Sequence, residues 1–109
     1  MRRENYLKSA ALFTLLVTAA LSGCSDNSQL KMGEEVFSGL CIRCHAAGLN
    51  GAPIFGNEKM WGPRIEQGIP VLVEHAINGY GLMPAKGGNP DLTDEQIAAA
   101  VAYMVNEVQ

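Results

Sequence analysis

An all-α domain is the fold class this sequence predicts, and three observations carry that expectation. Apolar residues recur at three- and four-residue spacing in three separate stretches, the pattern that gives a helix one buried face. No stretch alternates apolar and polar residues with the period of a strand. Between residues 46 and 92 stand nine of the 12 glycines and all 5 prolines, so the middle of the chain is irregular and needs something to wrap around.

The chain opens with Arg2, Arg3 and Lys8 ahead of an apolar run from Ala10 to Leu21. A charged region followed by a short hydrophobic one is the pattern of a secretory leader, and the run is too short for a comfortable membrane span. It ends in Leu21-Ser22-Gly23-Cys24, which resembles the lipobox of bacterial lipoproteins, where the cysteine is acylated and becomes the first residue of the mature chain. An ordinary leader with a free cysteine is the alternative. Residues 1–23 are therefore read as a lipoprotein signal peptide, 24–29 as a polar tether behind a lipidated Cys24, and 30–109 as one domain. This places the domain on the periplasmic side of a bacterial envelope. Ser25 is not the aspartate that resembles an inner-membrane retention signal, which favours the outer membrane.

In the domain, Leu30, Gly33, Phe37 and Leu40 fall at helical spacing and predict a first helix of about three turns ending near Gly39. Directly after it comes Cys41-Ile42-Arg43-Cys44-His45, the attachment signature of a c-type haem. On one helical turn, side chains three and four positions apart share a face. Two thiols there can add across the vinyl groups of a flat porphyrin while the adjacent imidazole reaches the iron. Three other uses of these residues are weaker. A thioredoxin-like redox pair wants a βαβ setting that is missing around Cys41. A structural zinc site would need Cys41, Cys44, His45 and His75 together, and neighbouring Cys44 and His45 share a tetrahedron awkwardly. A disulfide between Cys41 and Cys44 would close too small a loop to stabilise much. With Cys24 assigned to lipid and the other two to haem, none of the 3 cysteines is left over.

Pro70 starts a second short helix with an apolar stripe of Leu72, Val73, Ala76 and Ile77, and Asn78-Gly79 stops it. Thr93 and Gln96 form a capping box for a last helix through roughly Glu107, burying Ile97, Ala98, Val101, Met104 and Val105. Beyond residue 23, five basic side chains (Lys31, Arg43, Lys59, Arg64, Lys86) face ten acidic ones, a net −5 that argues against a nucleic-acid partner. A chain this short has a marginal core on its own, and a covalently held haem would supply the missing apolar body.

For the second axial ligand, Met1 is removed with the leader, Met32 precedes the attachment turn and Met104 faces the core, which leaves Met60 and Met83. Met83 stands in the glycine-flanked loop Gly79-Tyr80-Gly81-Leu82-Met83-Pro84, far enough along the chain to cross to the opposite haem face. A methionine filling an apolar gap is the alternative for it. His75 is the rival ligand, which would give bis-histidine ligation, but it is expected as a solvated residue, away from the Leu72/Ala76 stripe.

Gly33-x-x-x-Phe37, Cys41-Ile42-Arg43-Cys44-His45, Gly51-Ala52-Pro53, Trp61-Gly62-Pro63-Arg64, Met83-Pro84-Ala85-Lys86-Gly87-Gly88 and Ala100-Val101-Ala102-Tyr103-Met104 together resemble a short bacterial class I cytochrome c of the cytochrome c-five group, from about Leu30 to the C-terminus. The resemblance implies a class I fold whose N- and C-terminal helices cross around one covalently bound haem, with Gly33 and Phe37 meeting Ala99 and Tyr103. It implies that the Pro53 carbonyl accepts the second ring N–H of His45, and that Trp61 and Arg64 sit by a haem propionate. Some relatives carry a cysteine near position 89, where this chain has Asn89, so their disulfide is absent here.

The function expected is that of a membrane-tethered monohaem carrier of single electrons, with His45 and Met83 on the iron, and not of an enzyme, since no acid, base or substrate-binding set stands out. Its partners would be redox proteins: a dehydrogenase or cytochrome complex as donor, an oxidase or reductase as acceptor. A haem-based gas sensor or haem enzyme, which needs a displaceable sixth ligand, is the second reading, and a thiol oxidoreductase the third.

Overall fold

The computed structural model describes residues 23–109. Residues 1–22, which hold nearly all of the expected leader, lie outside them. Five α-helices make up the described chain: α1 (Gly23–Val36), α2 (Ile42–His45), α3 (Glu58–Ile65), α4 (Ile69–Asn78) and α5 (Asp94–Asn106). No strand occurs among the described residues.

The first helix differs from its expected limits at both ends. It takes in residues 24–29, the expected tether, because Asp26 in the first turn favours the helix N-terminus and because Gln29 Nε2 donates to Glu95 Oε1 at the start of α5 (3.3 Å). Gly39 does not end it either. Phe37–Cys41 forms one wide π turn, in which the Ile42 N–H donates to the Phe37 carbonyl, and the chain runs on into α2. A π turn accommodates an extra residue without breaking the helix and is common beside functional sites. It shifts the helical phase of the residues after it, so Gly33 and Phe37 can face α5 while the Cys-x-x-Cys-His turn presents its own face.

Helices α1 and α5 pack on each other, and α4 packs on α5. The crossing sits at Gly33: a Cβ there would lie 2.7 Å from the Ala99 carbonyl carbon and 2.8 Å from Tyr103 Cβ, so only glycine lets the backbones approach this closely. Phe37, Phe55 and Tyr103 form an aromatic trio beside it, with ring centroids 4.4 to 5.6 Å apart. The core is small: Phe37, Trp61, Leu72, Ala76, Ile97, Val101, Met104 and Val105 make one cluster.

Helix α5 begins with the expected reciprocal cap, Gln96 N–H to Thr93 Oγ1 (3.1 Å) and Thr93 N–H to Gln96 Oε1 (2.9 Å). Its buried face is broader than one stripe. Ala99 and Ala100 are buried while Ala98 is only half-buried, because α1 lies on one side of the helix and α4 on another. Helix α4 carries Leu72 and Ala76 into the core and ends at Gly79 (φ +86°).

Helix α3 is a correction to the irregular middle expected from composition. Asn57 Oδ1 accepts the Met60 N–H (3.0 Å) and caps it. Pro63 lies inside the helix, where it removes only the bond that would have reached back to the carbonyl of exposed Lys59.

Candidate functional site

Cys41, Cys44 and His45 lie along one continuous helical stretch at the edge of the core, the two thiols half-buried and His45 only 6% exposed. The Cys41 thiol donates weakly to the Val36 carbonyl (3.9 Å). Burial pushes its pKa up, which keeps the free thiol protonated.

The histidine is oriented by a loop held at three successive residues. Nδ1 of His45 lies 2.8 Å from the Pro53 carbonyl, as the family resemblance implies, so Nδ1 carries the proton. Trp61 Nε1–H donates to the Ile54 carbonyl (2.9 Å), and the Phe55 N–H donates to the His45 carbonyl (2.8 Å). Nε2 of His45 makes no hydrogen bond and is not sealed from solvent. An imidazole held through its Nδ1–H with Nε2 free, beside two thiols at one-turn spacing, is the donor set that fits a covalently attached haem.

Trp61 and Arg64 sit where α3 meets this loop. The single donor of Trp61 is taken by Ile54, and its buried ring lies 6.1 Å from the imidazole of His45. Arg64 Nη1 donates to the Met60 carbonyl, one turn back on the same helix. Trp61 thus packs in the core and anchors the Ile54 carbonyl.

Met83 is half-buried and packs on the same apolar cluster that Cys41 borders. A tight turn presents it: Tyr80 N–H to the Met83 carbonyl (3.0 Å) and Met83 N–H to the Tyr80 carbonyl (2.9 Å), with Gly81 at φ +57° as such a turn needs. The end of α4 fixes this turn from below, since a Cβ on Gly79 would stand 3.1 Å from the Met83 carbonyl oxygen and 3.0 Å from the Ala85 nitrogen. Beyond it, Lys86 (φ +53°) ties the chain to α5 through Leu92 O (2.8 Å) and Asp94 Oδ1 (3.1 Å). Of the other methionines, Met104 is buried in the core, whereas Met60 on α3 and Met32 on α1 are half-buried.

Three residues take parts that the sequence does not disclose. Phe55 locks the Pro53 loop into the aromatic trio, and Gly79 seats the Met83 turn. His75 is not solvated as expected: it is half-buried under the ring of Tyr80, with centroids 4.0 Å apart and planes 12° off parallel. A histidine five residues before an aromatic across a glycine bend is the only sign of this in the sequence.

Beside this geometry, the likeness to known proteins is specific. Residues 28–104 match the profile of the family described as cytochrome c oxidase, cbb3-type, subunit III. The chain is 48% identical over 91 residues to a cytochrome c-555 of Prosthecochloris aestuarii, covering 76% of this chain and 92% of that protein. It is 46% identical over 98 residues to a cytochrome c-555 of Chlorobaculum tepidum (84% and 91% covered) and 32% identical over 76 residues to a cytochrome c5 of Azotobacter vinelandii (68% and 92%). Among solved structures, a chain of an electron transfer complex of nitrite reductase with cytochrome c superposes with a TM-score of 0.69 at 35% identity, over 72% of this chain and 95% of that one.

Fold and site together define a small class I c-type cytochrome with one covalently attached haem c. The chain belongs to that family, and the cytochromes c-555 and c5 are among its relatives. The class I fold with crossing terminal helices, expected from the resemblance, is the fold observed.

Proposed function

We propose that this chain is a lipid-anchored carrier of single electrons on the periplasmic side of a bacterial envelope, with His45 and Met83 as the two axial ligands. The observation that carries the reading is the arrangement of His45: Nδ1 is engaged by Pro53 and Nε2 is left free, next to the two attachment thiols. Haem supplies a one-electron couple, whose potential His and Met ligation sets high relative to bis-histidine ligation. The protein's part is to hold its two ligands still. His45 is fixed by the three-point loop and Met83 by the paired turn on Gly79. Rigidly held ligands suit a site whose geometry changes little between oxidation states.

The relatives are cytochromes c-555, and one structural neighbour was solved in an electron transfer complex of nitrite reductase with cytochrome c. This supports redox proteins as partners here, a dehydrogenase or cytochrome complex as donor and an oxidase or reductase as acceptor. Carbon monoxide separates this reading from a gas sensor or haem enzyme. The reduced protein is expected to keep its spectrum unchanged under carbon monoxide at neutral pH, and formation of a carbonyl complex within seconds would favour a displaceable sixth ligand and the sensor.

The anchor is proposed from Leu21-Ser22-Gly23-Cys24, with the outer membrane favoured by Ser25. Each buried CH₂ of an acyl chain contributes about 0.8 kcal/mol, so more than one chain makes attachment stable. Cys24→Ser is expected to move the cytochrome from the membrane fraction to the soluble fraction of the envelope. Retention of the variant in washed membranes would contradict acylation at Cys24.

A further inference from the structure

We infer that His75 is a positioning residue for the Met83 ligand, acting through the ring of Tyr80. The inference rests on the proposed role of Met83 as an iron ligand. The segment from Gly79 to Pro84 holds two glycines in six residues, Gly79 at φ +86° and Gly81 at φ +57°, so its backbone is intrinsically loose. Its outer side is bare: Tyr80 is 65% and Leu82 75% exposed. What fixes it is backbone pairing of Tyr80 with Met83 in both directions and the seat of Gly79 beneath.

Tyr80 is thus the strand-like partner of the ligand residue itself, and among the described residues its ring has one aromatic partner, the imidazole of His75, stacked almost parallel at 4.0 Å. His75 in turn stands on α4, whose neighbouring turn buries Leu72 and Ala76 in the core. The stack therefore links helix α4 to the glycine-flanked turn that carries the sulfur. A thioether is a weak ligand, and its displacement requires the turn to swing outward. Holding Tyr80 flat on His75 opposes that swing, so the stack keeps Met83 in place without touching the iron.

Imidazole binding to the ferric, haem-loaded protein reads this directly, because exogenous imidazole enters only when Met83 leaves. His75→Ala is expected to tighten apparent imidazole binding by about three- to tenfold, the effect of losing one aromatic stack, and His75→Phe, which keeps a flat ring, is expected to restore the parent value. Tyr80→Leu should act like His75→Ala, and the double variant should bind no more tightly than either single one. Equal imidazole affinity in parent and His75→Ala proteins overturns the proposal, as does full additivity of the two substitutions or failure of His75→Phe to rescue. Met83→Ala is the reference. If it binds imidazole no better than the parent, the ligand assignment itself has failed, whereas strong binding by Met83→Ala with none gained by His75→Ala removes the brace alone.

Discussion

A Cys41→Ser, Cys44→Ser double variant is expected to lose the cooperative fold altogether. Among the described residues ten apolar side chains are buried, eight of them in one cluster, and Val105 is the one large side chain less than 2% exposed. A domain of this length is marginal on its own core, and small scaffolds depend on a staple for the remainder. The segment from residue 46 to 57 is held mainly by its grip on His45 and by Phe55 in the aromatic trio. The Met83 turn is held by its own pairing and by Lys86. Phe55 and Met83 join these two segments to the cluster only as partly buried residues at its edge. Removing the two thiols removes covalent attachment, so the variant should show weak far-ultraviolet helical signal and no sigmoidal melt. A haem-free variant that is helical and melts cooperatively would show that the eight-residue cluster is sufficient.

The parts of this fold that are legible in the sequence are those fixed by contacts close in the chain. Thr93 and Gln96 satisfy each other across three residues, so the start of α5 can be seen locally. The same holds for Pro70 and Gly79 at the two ends of α4. The Cys-x-x-Cys-His turn is visible because its chemistry demands that spacing. The limits that the sequence hides depend on distant partners. Gly39 looks like a stop, yet the helix passes through it as a π turn, which no residue-by-residue propensity registers. Residues 24–29 look like a tether because serine, aspartate and asparagine favour caps and turns, yet Gln29 meets Glu95 sixty-six positions away. Helix α3 is masked by Gly62-Pro63, and it forms because Asn57 caps it and Trp61 is buried against the core.

The site divides in the same way. The family resemblance carries the Pro53 carbonyl to His45, and the structure places it there. The bond from the Trp61 indole N–H to the Ile54 carbonyl is an addition that only the structure supplies. The stack of His75 on Tyr80 involves no family motif and is seen only in three dimensions.

Met83→Ala is expected to have the largest effect on the redox chemistry. The variant should lose the charge-transfer band of the sulfur–iron bond, and its potential should fall by on the order of 0.2 V, a fraction of the roughly 0.8 V that axial ligands span. Thioether ligation favours the ferrous state, so the sign of the change is fixed. Met83 also packs on the core cluster, and a buried Met→Ala change costs about 2–5 kcal/mol of stability, so this half-buried side chain should fall at or below the low end. The potential must therefore be measured well below the melting temperature. Met83→His separates the two effects, because it keeps a ligand at the position. That variant should also have a lowered potential but remain closed to carbon monoxide, whereas Met83→Ala should bind it readily. Met60→Ala, on the capped start of α3, should change neither band nor potential. Survival of the band in Met83→Ala together with its loss in Met60→Ala would transfer the sixth ligand to Met60. In that case the paired turn at Tyr80 and Met83 would be a structural corner of the fold, with no ligand to hold.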